Sequence, residues 1–210
     1  MSEWLIHIDQ ELLLAINGAH NAVLDTLMWW VSSPWVWVPL YVVLAGVLVY
    51  RFGWKRGLLY IAAIAIAVGL SDSLVHALKH WIMRFRPSND PLIGPWVHVV
   101  NGYRGGPYGC PSSHAANTLC GAMLFGLLYN KRSALMWTLL MGWTLVISYS
   151  RMYLGVHYPL DILFGLTLGA LLAVVVYYLV RLAEDVACRR SCASEQSDDD
   201  AVPEDQSACP

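Results

Sequence analysis

Five apolar stretches constrain what this chain can become. They cover residues 36–50, 58–80, 115–129, 134–149 and 158–180. Gly53, Asn130 and Gly155 mark turns between them. Several are near the short end of the roughly 17–25 residues a helix needs to cross a bilayer. Charged residues make up only 13% of the chain, where a soluble domain carries about a quarter. The expected fold is all-α, a polytopic membrane helix bundle of about five transmembrane helices with a short interfacial helix at the N-terminus.

That first helix is expected over Trp4 to Ile16. Leu5, Ile8, Leu12 and Ile16 fall on one face, with Asp9 and Glu11 off it, as in a helix lying in the membrane surface. Asn17-Gly18 ends it. Residues 23–31 are apolar but too short to span, and Ser32-Ser33-Pro34 breaks them. Trp29, Trp30, Trp35 and Trp37 cluster where an aromatic belt would sit. No basic n-region or small-residue cleavage site precedes Ile16, so insertion would rely on the internal segments. Residues 1–190 read as one membrane domain and 191–210 as an acidic disordered tail.

The longest connection, from Arg84 to Cys110, is rich in Gly and Pro and holds Trp96, Tyr103 and Tyr108. Loops this long are usually functional or disordered, and the aromatics favour an ordered cap. The cysteines are five in number and match no zinc spacing. Cys120 reads as a small apolar residue in a helix and Cys110 as lining. No metal and no cofactor are expected. A net charge of -2 gives no reason to expect a nucleic-acid partner.

The basic residues divide by side. With five spans, Arg51, Lys55, Arg56, Lys131, Arg132, Arg181, Arg189 and Arg190 share one face, which the positive-inside rule makes cytoplasmic. Lys79, Arg84, Arg86, Arg104 and Arg151 fall on the other. The expected placement is the inner membrane, with a site on the outer face and a cytoplasmic C-terminus.

Three polar clusters meet on that outer face: Lys79 with Arg86-Pro87, Pro111-Ser112-Ser113-His114, and Ser150-Arg151 with His157 and Asp161. Pro159 suits the first turn of a helix, so His157 and Asp161 can stack at i and i+4. The carboxylate can then take the Nδ1 proton, leave Nε2 free, and stabilise the ring when it becomes positive. A satisfied interfacial histidine with a capping Asp would use the same two residues. Arg151, six positions earlier at a span end, favours the chemical reading.

Ser112 or Ser113 can cap the third span, with His114 in its first turn. Free N–H groups there favour an anion, and a bound phosphate dianion favours a protonated ring that can release a proton. Serines before a helix are, however, usually plain caps. Lys79, Arg86 and Arg151 supply a charge clamp suited to phosphoryl oxygens. Snorkelling at a helix end accounts for Lys79 or Arg84 alone, not for convergence with two histidines. On the second span, Asp72 is expected to pair with His76 or Lys79, since an intramembrane carboxylate needs a partner.

These clusters resemble the signature of the type 2 phosphatidic acid phosphatase superfamily: Lys-x6-Arg-Pro, Pro-Ser-Gly-His and Ser-Arg-x5-His-x3-Asp. All three occur here in order and spacing, with Ser113 in the glycine position. The resemblance covers about residues 4–185. It implies a metal-independent phosphatase in which His157 is the nucleophile and forms a phosphohistidine. Asp161 orients it, and His114 protonates the leaving group and then activates water. Lys79, Arg86, Ser112, Ser113 and Arg151 hold the phosphate. The implied substrate is a lipid phosphate: undecaprenyl diphosphate is favoured as the commonest role of compact members, with lipid A phosphate and phosphatidylglycerophosphate as alternatives. A membrane anion carrier is a rival of another class, though no internal repeat supports it. An inactive scaffold is a third, opposed by the presence of every catalytic residue type. Neither oligomeric state nor a partner for the tail is legible.

Overall fold

A computed structural model describes residues 3–129 and 133–199, with side chains described as far as Arg189. It is all-α. Among the described residues six helices follow in order: α1 (Glu3–Gly18), α2 (Ala22–Ser32), α3 (Val38–Ile82), α4 (Ser113–Tyr129), α5 (Ala134–Tyr153) and α6 (Pro159–Asp199).

α3 contains the first two expected spans as two arms. Gly53 breaks it with φ 76°, a left-handed value that glycine adopts without a side-chain penalty. The arms fold back on one another: a Cβ on Gly57 would lie 2.7 Å from the Cα of Val49. Eight residues of straight helix would separate those positions by about 12 Å. Among the described residues two stretches are long and apolar enough to cross a membrane by length and composition, Pro34–Ile82 and Pro159–Arg189.

The core joins both arms of α3 to α4 and α6 through Leu48, Tyr60, Ala67, Cys120, Leu124, Leu128 and Ala173. The outward face is apolar too, with Val42, Ile66, Leu139, Phe164 and Leu171 all exposed. Helices apolar all round suit a lipid surround. α4 and α6 approach closely because glycines face the α4 backbone. A Cβ at Gly165 would meet the Ser112 carbonyl oxygen at 2.5 Å, and one at Gly169 the Ala116 oxygen at 2.3 Å. Small residues four apart permit such contacts between membrane helices. Here they bring the first turn of α4 against the first turn of α6.

On α1, Leu5 and Leu12 are exposed, which suits a helix lying in the membrane surface, whereas Asp9, Leu13 and Asn17 are buried. Lipid accepts the leucines at no cost, while Asp9 finds charged and backbone partners inside. Two expectations need correction. Asp72 makes no hydrogen bond or close ion pair with His76 or Lys79, although its charge acts on Lys79. It accepts from Asn117 Nδ2 on α4 at 3.0 Å, and His76 meets His80 instead. α6 also continues helical over 191–199, where composition alone reads a disordered tail. That segment has no glycine or proline to interrupt the backbone ladder. The rest of the expected tail, 200–210 with Cys209, and the turn 130–132 with Asn130, Lys131 and Arg132, lie outside the described residues.

The connection over 83–112 is built as a cap of short 3-10 turns, Pro87–Asn89, Gly94–Trp96 and Val100–Gly102. Buried Asn17 fastens it to the bundle. Its Nδ2 donates to the carbonyls of His98 at 2.9 Å and Tyr153 at 2.7 Å, and its Oδ1 accepts from His98 N at 2.7 Å. Gly155, at φ 67°, leaves room for this crossing. A Cβ there would meet Val97 Cγ1 at 2.3 Å.

Candidate active site

The bundle topology brings four helix ends together. α3 ends beside the cap with Lys79, and α4 begins with Ser113 and His114. α5 ends with Arg151, and α6 begins with Pro159 and Asp161. The described cations Arg56 and Arg181 lie at the other end of the bundle, around Glu184 on α6.

His157 occupies the bend between α5 and α6 and is 1% exposed. Its Nε2 lies 3.2 Å from Nη1 of Arg86, whose same nitrogen donates to the Val156 carbonyl at 3.1 Å. Its Nδ1 faces Oδ2 of Asp161 at 3.7 Å. Burial, reinforced by Arg86, Arg151 and Lys79, holds the imidazole well below its ordinary pKa. The ring is therefore neutral, with a lone pair on Nε2 pointing toward cations. That is the protonation state a nucleophilic histidine needs.

Asp161 is buried and its oxygens are committed. Oδ1 accepts from Nη1 of Arg84 at 2.9 Å, and Oδ2 accepts the Tyr158 N–H at 3.0 Å. The Cys110 thiol also bonds to it. The Asp161 carbonyl takes the Ser112 N–H at 2.9 Å, tying the second cluster to the third.

The cations are fixed by different elements. Lys79 Nζ donates to Ser113 Oγ at 2.9 Å. Arg151 is 3% exposed, donates to Ser32 Oγ on α2, and carries the Tyr103 hydroxyl of the cap. Burial opposes ionisation of Tyr103, but Arg151 and then Arg86 bring its phenol below the usual value. Burial likewise lowers the Arg86 guanidinium, with Arg151 adding to the effect, though Arg remains charged at neutral pH. His114 bonds to the Ser32 backbone and lies in the field of Arg151, Lys79 and Arg86.

Four of the buried polar atoms without a protein partner belong to this cluster: Arg86 Nε, Arg151 Nε, Ser112 Oγ and His157 Nδ1. Buried polar atoms are usually paired. Donors gathered unpaired around one imidazole, with two guanidinium groups, suit an anion with several oxygens.

The structure thus brings together every residue expected at the site: Lys79, Arg86, Ser112, Ser113, His114, Arg151, His157 and Asp161. Sequence reasoning read Cys110 as lining and left out Arg84, Asp9, Ser32 and Tyr103. Arg84 and Asp9 are 75 positions apart. The one available signal was a carboxylate inside an apolar helix. The glycine-rich loop also acquires a purpose. A Cβ at Gly105 would meet Arg86 Cζ at 3.0 Å, and one at Gly109 would meet Asp161 Oδ2 at 3.0 Å. Bare backbone there lets the loop close on both side chains.

Comparison with known proteins identifies the family. The profile of the PAP2 superfamily matches residues 56–185. The chain is 37% identical to a lipid A 4'-phosphatase of Bacteroides thetaiotaomicron over 85% of its own length and 80% of that protein. It is 31% identical to an undecaprenyl-diphosphatase of Sulfolobus acidocaldarius, over 79% of this chain and 75% of that one. Its fold superposes on the crystal structure of a transmembrane PAP2-type phosphatidylglycerolphosphate phosphatase from Bacillus subtilis with a TM-score of 0.66. That match covers 86% of this chain and 88% of the other at 23% identity.

Proposed function

The chain belongs to the PAP2 superfamily and is a membrane lipid phosphate phosphatase, a hydrolase, and we propose that it removes a phosphate monoester from a lipid A-type glycolipid. The observation that carries the substrate is the 37% identity to a lipid A 4'-phosphatase, spread over most of both chains. Undecaprenyl diphosphate, favoured on family frequency alone, becomes the second reading, supported by the 31% relative.

The proposed chemistry follows from the neutral His157. Nε2 attacks phosphorus in line with the leaving oxygen. A P–N bond forms, the P–O ester bond breaks, and His114, protonated beside the bound phosphate dianion, gives its proton to the departing alcohol. Asp161 faces the imidazolium formed in this step. Water then attacks the phosphohistidine while His114 takes its proton, which releases inorganic phosphate and neutral His157. Lys79, Arg86, Ser112, Ser113 and Arg151 hold the equatorial oxygens, where charge is greatest.

The same reading embeds about five helices in the inner membrane, with the site at the outer face and the C-terminus inside. Its support is the separation of cations, with Lys79, Arg84, Arg86 and Arg151 at one end of the bundle and Arg56 and Arg181 at the other. A site at the outer interface suits a lipid head group entering sideways between helices.

The test is phosphate release by purified protein, with and without EDTA. The substrates are a lipid A-type disaccharide bisphosphate, undecaprenyl diphosphate and phosphatidylglycerophosphate. Preference for the glycolipid, unaffected by chelator, is the expected result. A preference for undecaprenyl diphosphate selects the second reading, and no release from any of the three overturns hydrolysis. Labelling of Cys209 from outside intact cells would contradict the orientation.

A further inference from the structure

Asp9 lies on the N-terminal helix, far in sequence from the motifs that mark the site, yet it is 2% exposed. Both of its oxygens are spent on the surroundings of Asp161. Oδ2 accepts from Nη2 of Arg84 at 2.5 Å, and Oδ1 accepts from the N–H of Leu160 at 2.8 Å. Arg84 turns its other nitrogen to Asp161 at 2.9 Å and lies over the Tyr158 ring at 4.1 Å.

We infer that Asp9 and Arg84 are positioning residues that set the orientation and charge of Asp161 behind the nucleophile, so that α1 forms part of the catalytic apparatus. The inference rests on the proposed role of His157. Two carboxylates share one guanidinium. Without Asp9, the full charge of Arg84 would fall on Asp161 and weaken its attraction for the imidazolium that forms when His157 attacks. Without Arg84, two buried carboxylates would repel each other. The Leu160 bond acts on geometry: it holds the first turn of α6, which carries Asp161 one residue later. One side chain thereby governs both where Asp161 sits and how negative it is. Outer partners of this kind tune a histidine through the carboxylate it faces.

Asp9→Asn separates the two effects, because the amide keeps an oxygen for Leu160 and loses the charge. Expected is a fall in kcat of about tenfold to a hundredfold with KM within about twofold of wild type. Phosphoenzyme formation in a single turnover should slow in parallel, and Asp9→Glu should recover part of the loss. Arg84→Gln should give the same pattern. Wild-type kcat in Asp9→Asn would overturn the inference. So would a loss that tracks a lowered melting temperature and is not relieved by Asp9→Glu. His157→Ala in the same assay separates the two levels. If it is inactive while Asp9→Asn is normal, only the positioning role falls. If it is active, the nucleophile fails and the inference fails with it.

Discussion

Nδ1 of His157 stands 3.7 Å from Oδ2 of Asp161, an ion-pair approach longer than a hydrogen bond. That oxygen is already held by the Tyr158 N–H at 3.0 Å. In the proposed mechanism the carboxylate is thus placed to answer the charge that arises on the ring, more than to grip a neutral ring at rest. The i, i+4 spacing supplies the proximity, and the Tyr158 bond fixes the distance.

This relationship makes Asp161→Asn informative. The amide keeps the shape and loses the charge that offsets the imidazolium. We expect kcat to fall on the order of 10³-fold or more, as orienting carboxylates behind catalytic histidines do. His157→Ala should abolish the acid-labile phosphoenzyme altogether. Rapid-quench trapping with a radiolabelled lipid phosphate checks both.

Arg86→Lys should behave almost as badly as Arg86→Ala. The guanidinium reaches the Val156 carbonyl and His157 together and keeps Nε unpaired. A lysine ammonium cannot reproduce that fork. A loss of about 10²–10³-fold in kcat is expected for removing a charge-stabilising donor. Steady-state kinetics of the two variants, with melting temperatures alongside, test it.

The buried neutral His157 predicts how stability varies with pH. Its folded pKa lies well below the ordinary 6.5, so below that pH the unfolded chain binds a proton that the folded one refuses. Stability rises with pH through this window and is lost as pH falls from about 6.5 toward the folded value. Melting curves in detergent from pH 7 to 4 should show this slope, and His157→Gln should flatten it. An unchanged slope in the variant would assign the loss to other groups.

Cys110 should be inert although it touches Asp161. Burial, with Asp161 adding to it, pushes its thiol up to about 12, so almost no thiolate exists near pH 8. Cys188 is exposed. Mass-spectrometric mapping after maleimide treatment of folded protein at pH 8 should find Cys188 modified and Cys110 untouched until denaturant is added.

Gly169→Ala should loosen the site from a distance. The added Cβ would fall 2.3 Å from the Ala116 oxygen, and backbone cannot swing aside as a side chain can. Forcing α4 from α6 should cost about 1–3 kcal/mol and shift Ser112 from its bond to Asp161. A lower melting temperature together with reduced kcat is the expected pair of readouts. An unchanged melting temperature would mean that the helices tolerate the contact.

The sequence alone marked the main helices and the candidate site residues, because both are written locally. Apolar runs set the arms of α3 and the helices α4 to α6. Fixed spacing set His157 over Asp161, and Pro159 set the start of α6. What it could not supply were the partners across the chain. The direction α1 faces, the bond of Asp9 to Arg84, the grip of Ser32 on Arg151 and the closure of Gly105 on Arg86 join residues whose sequence separation carries no periodic signal. These were decided by the tertiary structure, for a physical reason: a charge buried beside lipid must be matched by whatever the folded helix ends bring within reach. Only the assembled bundle specifies which groups those are.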